Sequence, residues 1–136
     1  MSGVPAMIIT LCGSTKFEQS FIDAQRELSR RGILCFSLAV LPQHRQPNEN
    51  WSDDGLDKIL ADLLYFQRIQ NSDAILVLGD GYVGFSTARE ILWAQIQGKR
   101  IYGQRPGESW DDLAERLTGY VDDGEVLIEK AKGNFK

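Results

Sequence analysis

Two cysteines and one histidine are all that the 136 residues offer as soft metal ligands. That is too few for the usual structural zinc sites, which take four such side chains. Scarce cysteine also excludes a disulfide-built secreted scaffold, so Cys12 and Cys35 read as reduced, buried strand residues. No apolar run approaches the roughly 20 residues of a membrane-spanning helix. No basic segment precedes the apolar stretch within residues 1–10, so a signal peptide is not expected and the chain reads as cytoplasmic. Positive charge is short as well: 15 Lys and Arg against 19 Asp and Glu leave a net −4. This argues against polymeric nucleic acid or an anionic membrane as partner, and leaves room for a local basic pocket. What is present, 43% hydrophobic and 25% charged residues, is the composition of one globular domain.

The hydrophobic period switches repeatedly along the chain. Residues 6–12 (AMIITLC) form an apolar run ended by Gly13, a strand buried on both faces. Thr15 to Glu18 fits a capping box, Thr15 at the N-cap, opening a helix with Phe17, Phe21, Ala24 and Leu28 on one face. It stops at Arg30-Arg31-Gly32, basic residues followed by glycine. Ile33 to Val40 is the second strand. Leu41 to Gly55, about 15 residues without period, is a long loop of the kind that lines or covers a site. A second helix follows to Asn71, with Leu56, Ile59, Leu60, Leu63 and Leu64 on one side. Ala74 to Leu78 is the third strand, Gly79 to Phe85 a glycine-rich turn, and Ser86 or Thr87 starts the third helix. Arg100 to Tyr102 is a short fourth strand, and a last helix from Ser109 turns Trp110, Leu113, Leu117 and Val121 inward. Residues 1–121 thus make one domain. Residues 122–136 extend it, with Val126 to Ile128 as an extra strand or the whole as a flexible tail.

Alternating strands and helices predict a flavodoxin-like (Rossmann-like) three-layer α/β domain with a parallel sheet of 4–5 strands, order 2-1-3-4(-5). Ligands then bind outside the carboxyl ends of strands one and three. The loops leaving those ends, Gly13-Ser14-Thr15-Lys16 and Gly79 to Thr87, are the glycine- and hydroxyl-rich turns that lead into helices.

Gly79 to Gly84 spells G-x-G-x-x-G, but after the third strand, and Gln104 stands where a dinucleotide site needs an acid. The turn reads instead as one that admits substrate close to the backbone. Ser86, Thr87 and Arg89 suit a phosphate or carboxylate at a helix start. Glu90 has two readings. Thr87-x-x-Glu90 is a capping box; alternatively, a carboxylate in the first helical turn, held ionised by the dipole, suits a nucleophile. Asp62, Tyr65 and Arg68 share a face of the second helix, as solvated residues or as part of the site. His44, in the long loop, is a candidate proton donor to a leaving base. Cys12 lacks a histidine partner and reads as a core residue, not a nucleophile.

Leu11-Cys12-Gly13-Ser14-Thr15-Lys16-Phe17 resembles the first loop of the nucleoside 2-deoxyribosyltransferase-like family, its small bacterial and phage-borne branch most of all. Ser72 to Val77, Gly81-Tyr82-Val83-Gly84, Ser86 to Ala94 and Gly98-Lys99 resemble it in the same order. The resemblance implies cleavage or transfer at the N-glycosidic bond of a nucleoside or nucleoside monophosphate. It implies Glu90 as nucleophile, with Gly13, Ser14, Thr15, Lys16, Gly81, Tyr82, Gly84, Ser86, Thr87 and Arg89 around sugar or phosphate. It implies no cofactor and no metal, and a homodimer or larger homo-oligomer, to which Trp51 and Trp93 add exposed aromatic surface. The family's transferases carry an aspartate eight residues before the position of Asp73, where this chain has Tyr65. Tyr65 or Asp62 is then expected near the base. A nucleotide hydrolase, a phosphoribohydrolase, or a binding module that keeps the pocket without turnover fits the same residues.

Overall fold

A computed structural model describes residues 7–37 and 56–135. Four strands, β1 (Met7–Cys12), β2 (Ile33–Phe36), β3 (Ala74–Val77) and β4 (Arg100–Gly103), form one sheet of order β2-β1-β3-β4. Every pairing is parallel. Five α-helices accompany them: α1 (Glu18–Arg30), α2 (Leu56–Gln70), α3 (Phe85–Ile96), α4 (Trp110–Thr118) and α5 (Gly124–Gly133). The α/β class and the 2-1-3-4 order expected from the sequence are those observed.

Strand alternation divides the core into two layers. Ile9, Leu11, Ala74 and Leu76 face α1 and α4, packing on Phe21, Leu28, Leu113 and Leu117. Cys12, Ile75, Val77 and Ile101 face α2, α3 and α5, packing on Tyr65, Ile69, Ile91 and Leu127. The two buried hydroxyls of Thr10 and Ser72 satisfy each other at 2.5 Å, and Ser72 also donates to the Arg68 carbonyl.

Several sequence expectations are corrected. Ser14 rather than Thr15 caps the first helical segment: its Oγ accepts from the Lys16 N–H at 3.3 Å, and a 3-10 turn over Thr15–Phe17 precedes α1. The Leu63 and Leu64 side of α2 is not its core face; Leu63 is 58% exposed, while Tyr65 and Ile69 point inward. Val121 lies beyond α4 and is exposed, because the helix ends at Gly119 and Tyr120 takes a left-handed φ of 61°. Residues 126–128 belong to α5, not to an extra strand. The long loop with His44 and Trp51 lies outside the described residues, as does the side chain of Asp62.

Candidate active site

The crevice begins where β1 and β3 stop pairing. Cys12 lies opposite Val77, and the Leu78 N–H donates to the Cys12 carbonyl at 2.9 Å. Just beyond, the chains separate at Gly13 and Gly79, both with positive φ (145° and 98°). A Cβ on Gly79 would lie 2.7 Å from the Phe17 ring, so glycine there makes room for the Phe17 side chain between the loops. Phe17 meets Tyr82 edge to face at 5.8 Å, and the Lys16 ammonium sits 3.8 Å from the Tyr82 ring centroid. The two loops are therefore brought together, knitted through one aromatic pair and one cation.

α3 opens from this junction. Its N-cap is Gly84, which has no side chain to cap with, and the Ala88 N–H donates to the Gly84 carbonyl at 2.8 Å. Thr87 is thus inside the helix and buried, and no Thr87–Glu90 capping box forms. Glu90 falls in the second turn rather than the first. The first turn, residues 85–87, carries the N–H groups that no intrahelical carbonyl takes. Arg89 turns toward α2, its guanidinium 5.6 Å from the Phe66 ring centroid.

Glu90 is buried, with 9% of its surface exposed. Three side chains from three elements converge there: Glu90 of α3, Cys12 at the end of β1, and Tyr65 of α2. The Cys12 thiol donates to the Thr10 carbonyl at 3.9 Å, and the Glu90 charge acts on both Cys12 and Tyr65. Burial first, and the Glu90 charge second, push the thiol pKa well up, so Cys12 stays a protonated donor and not a thiolate. The Tyr65 hydroxyl donates to the Leu11 carbonyl at 3.2 Å. Burial, with Glu90 and Cys12 adding to it, pushes its pKa far above the ordinary phenol value. A proton held so tightly and already committed to a backbone oxygen makes Tyr65 a poor acid.

Sequence reading missed what stands behind the second loop. Lys130 of α5 donates to the Gly81 carbonyl at 2.9 Å, and Asn134 donates to the Val83 carbonyl at 3.2 Å. No local pattern marks either residue; only the packing of α5 on α3 brings them there. Among the described residues, no helix is long and apolar enough to cross a membrane.

Neither a protein-family model nor a curated protein matches the sequence. Among solved structures, the chain is similar to a 2-deoxyribosyltransferase of the psychrotolerant bacterium Bacillus psychrosaccharolyticus, with 21% identity and a TM-score of 0.57 over 88% of this chain and 95% of that one. A CMP N-glycosidase of Clostridium botulinum aligns at 17% identity and a TM-score of 0.47, over 92% of this chain and 97% of that one. The chain shares the fold of the 2-deoxyribosyltransferase.

Proposed function

We propose that this domain cleaves or transfers at the N-glycosidic bond of a nucleoside or nucleoside monophosphate, with Glu90 as nucleophile. The observation that carries this reading is a buried carboxylate beside the carboxyl ends of β1 and β3, where an α/β sheet binds its ligands. The order of the family-like blocks and the shared fold support it. In the proposed step a Glu90 oxygen attacks C1′ as the C1′–N bond breaks. The bonding pair leaves on the base nitrogen, which takes up a proton. Oxocarbenium character at C1′ is stabilised by the carboxylate before capture. Water or a second base then displaces Glu90 from C1′. Gly13, Ser14, Gly81, Gly84, Ser86 and Thr87 surround the sugar or its phosphate, with Lys16 supplying positive charge at the rim.

Tyr65 is assigned to holding the end of β1 rather than to protonating the base. Tyr65→Phe is expected to keep kcat within about tenfold while costing about 1 kcal/mol of stability, since the Leu11 carbonyl loses its donor. Denaturant unfolding and base-release kinetics check both halves. A fall in kcat of about 10² or more at unchanged fold would instead make Tyr65 the general acid.

The second reading, a nucleotide-binding module without turnover, is favoured by that same Tyr65, which is ill suited to replace an aspartate. One experiment separates the two. The protein is incubated with deoxy- and ribonucleosides and their monophosphates, with and without a second free base, and released base is followed by chromatography. Base release supports the enzyme; its dependence on the acceptor base decides transfer from hydrolysis, and its sugar preference decides deoxyribose from ribose. Thermal stabilisation by one of these compounds without any release supports the binding module.

A further inference from the structure

The turn that opens α3 ends in Gly84, an N-cap without a side chain, and is contacted from both sides. On the β1 side stand Phe17 and Lys16. On the other side stand α5 and the two residues that follow it, which touch the turn and the start of α3 at alternate residues. Lys130 takes the Gly81 carbonyl, Asn134 takes the Val83 carbonyl, and Phe135 packs on Phe85 with ring centroids 5.1 Å apart. Gly81 has a φ of 92°, and a Cβ there would stand 3.0 Å from the Lys130 nitrogen, so glycine and lysine occupy interlocking positions. The far end of α5 is itself anchored. The Asp123 N–H donates to the Ile101 carbonyl at 2.8 Å, and the Asp123 carboxylate accepts from the Gly103 N–H at 2.9 Å. Leu127 and Ala131 are buried between these two ends. The helix therefore spans from the last strand to the glycine turn.

We infer that α5 is a brace for the site: Lys130 and Asn134 are positioning residues that hold the 79–84 turn, and with it the first turn of α3, in the shape that receives the ligand. The bracing stands on the contacts alone; its consequence for the ligand rests on the proposed function. Glycines leave the turn several backbone conformations to choose from, and two of its carbonyls are fixed by donors from α5 and its C-cap. The brace acts on ligand affinity more than on chemistry, because Glu90 is placed by the body of α3, whose Ile91 and Ala94 are buried in the core.

The test compares the full chain with a Lys130→Met, Asn134→Ala double variant by amide hydrogen exchange without ligand. The Tyr82 and Ala88 amides, which donate to Gly79 and Gly84 within the turn, are expected to exchange about tenfold faster, while β1 and β4 amides keep their rates. Lys130→Arg, which retains a donor, is expected to restore the slow rate. Unchanged exchange at Tyr82 and Ala88, or equal acceleration throughout the sheet, overturns the brace. Should the double variant fail to fold, Lys130→Met alone, at an exposed position, is read the same way. In the base-release assay KM is expected to rise about tenfold with kcat within twofold; an unmoved KM despite faster exchange overturns the link to ligand. A wild type that releases no base from any substrate defeats the proposed function, and the exchange result still decides the brace.

Discussion

Replacing Glu90 by Gln is expected to lower base release at least about 10³-fold while leaving nucleotide affinity within about threefold. The substitution keeps the size and shape of the side chain and removes the charge and the nucleophilicity. The fold should hold for the same reason: Glu90 lies in the second turn of α3, and the substitution leaves the Gly84 N-cap and the helix end at Gln97 unaltered. Cys12 gives a second readout. Loss of the neighbouring charge removes one cause of its raised pKa, but burial is the larger cause and remains, so the thiol should stay unreactive toward alkylating reagents at neutral pH. Turnover within tenfold of wild type would return Glu90 to a structural role.

Arg116→Met is expected to destabilise the domain by about 3 kcal/mol, a fall in Tm of roughly 10 °C. The guanidinium, 10% exposed, joins Glu108 at 2.6 Å and Asp123 at 2.9 Å, and donates to the carbonyls of Gly103 and Val121. Removing it takes from the largely buried Glu108 carboxylate its guanidinium partner and leaves Asp123 with Arg105 and the Gly103 N–H alone, the costly way to break such a cluster. The pH dependence follows from the carboxylates. Arg116 holds Glu108 below its ordinary range. Burial alone would raise Asp123, but the Gly103 N–H, Arg105 and Arg116 more than offset it, and its pKa is lowered. Folded-state values below the unfolded ones mean a contribution fully present above about pH 4 and lost as pH falls through the folded values. The Tm difference between wild type and Arg116→Met should therefore be full at pH 7 and shrink in acid. Thermal unfolding across that range checks it. Because Asp123 starts α5, the variant should also loosen the brace on the glycine turn.

The sheet was legible because β1 and β3 are nearly continuous apolar runs buried on both faces, and because alternation with helices leaves few parallel orders. The crevice was legible for the same reason: strand order places two hydroxyl- and glycine-rich turns side by side. What escaped was set by packing between distant segments. Ser14 outcompetes Thr15 as cap because a 3-10 turn precedes α1 and shifts its start. On α2, Leu63 and Leu64 lose to Tyr65 because the tyrosine carries both apolar bulk and a hydroxyl that meets the Leu11 carbonyl. Residues 122–135 look polar and frayed in one dimension, yet Leu127 and Ala131 suffice to seat a helix on α3 and β4. Its contacts with the glycine turn span 49 and 51 positions, beyond any local pattern.

The most direct measurement of the central claim is the mass of the Glu90 peptide in protein acid-quenched during turnover of a deoxynucleoside or its monophosphate. A glycosyl group attached at Glu90, absent from the Gln variant and lost on adding an acceptor base or on longer incubation in water, is the result expected. Steady base release with no adduct at Glu90 would contradict the nucleophile, and neither adduct nor release from any substrate would contradict the glycosidic reaction itself.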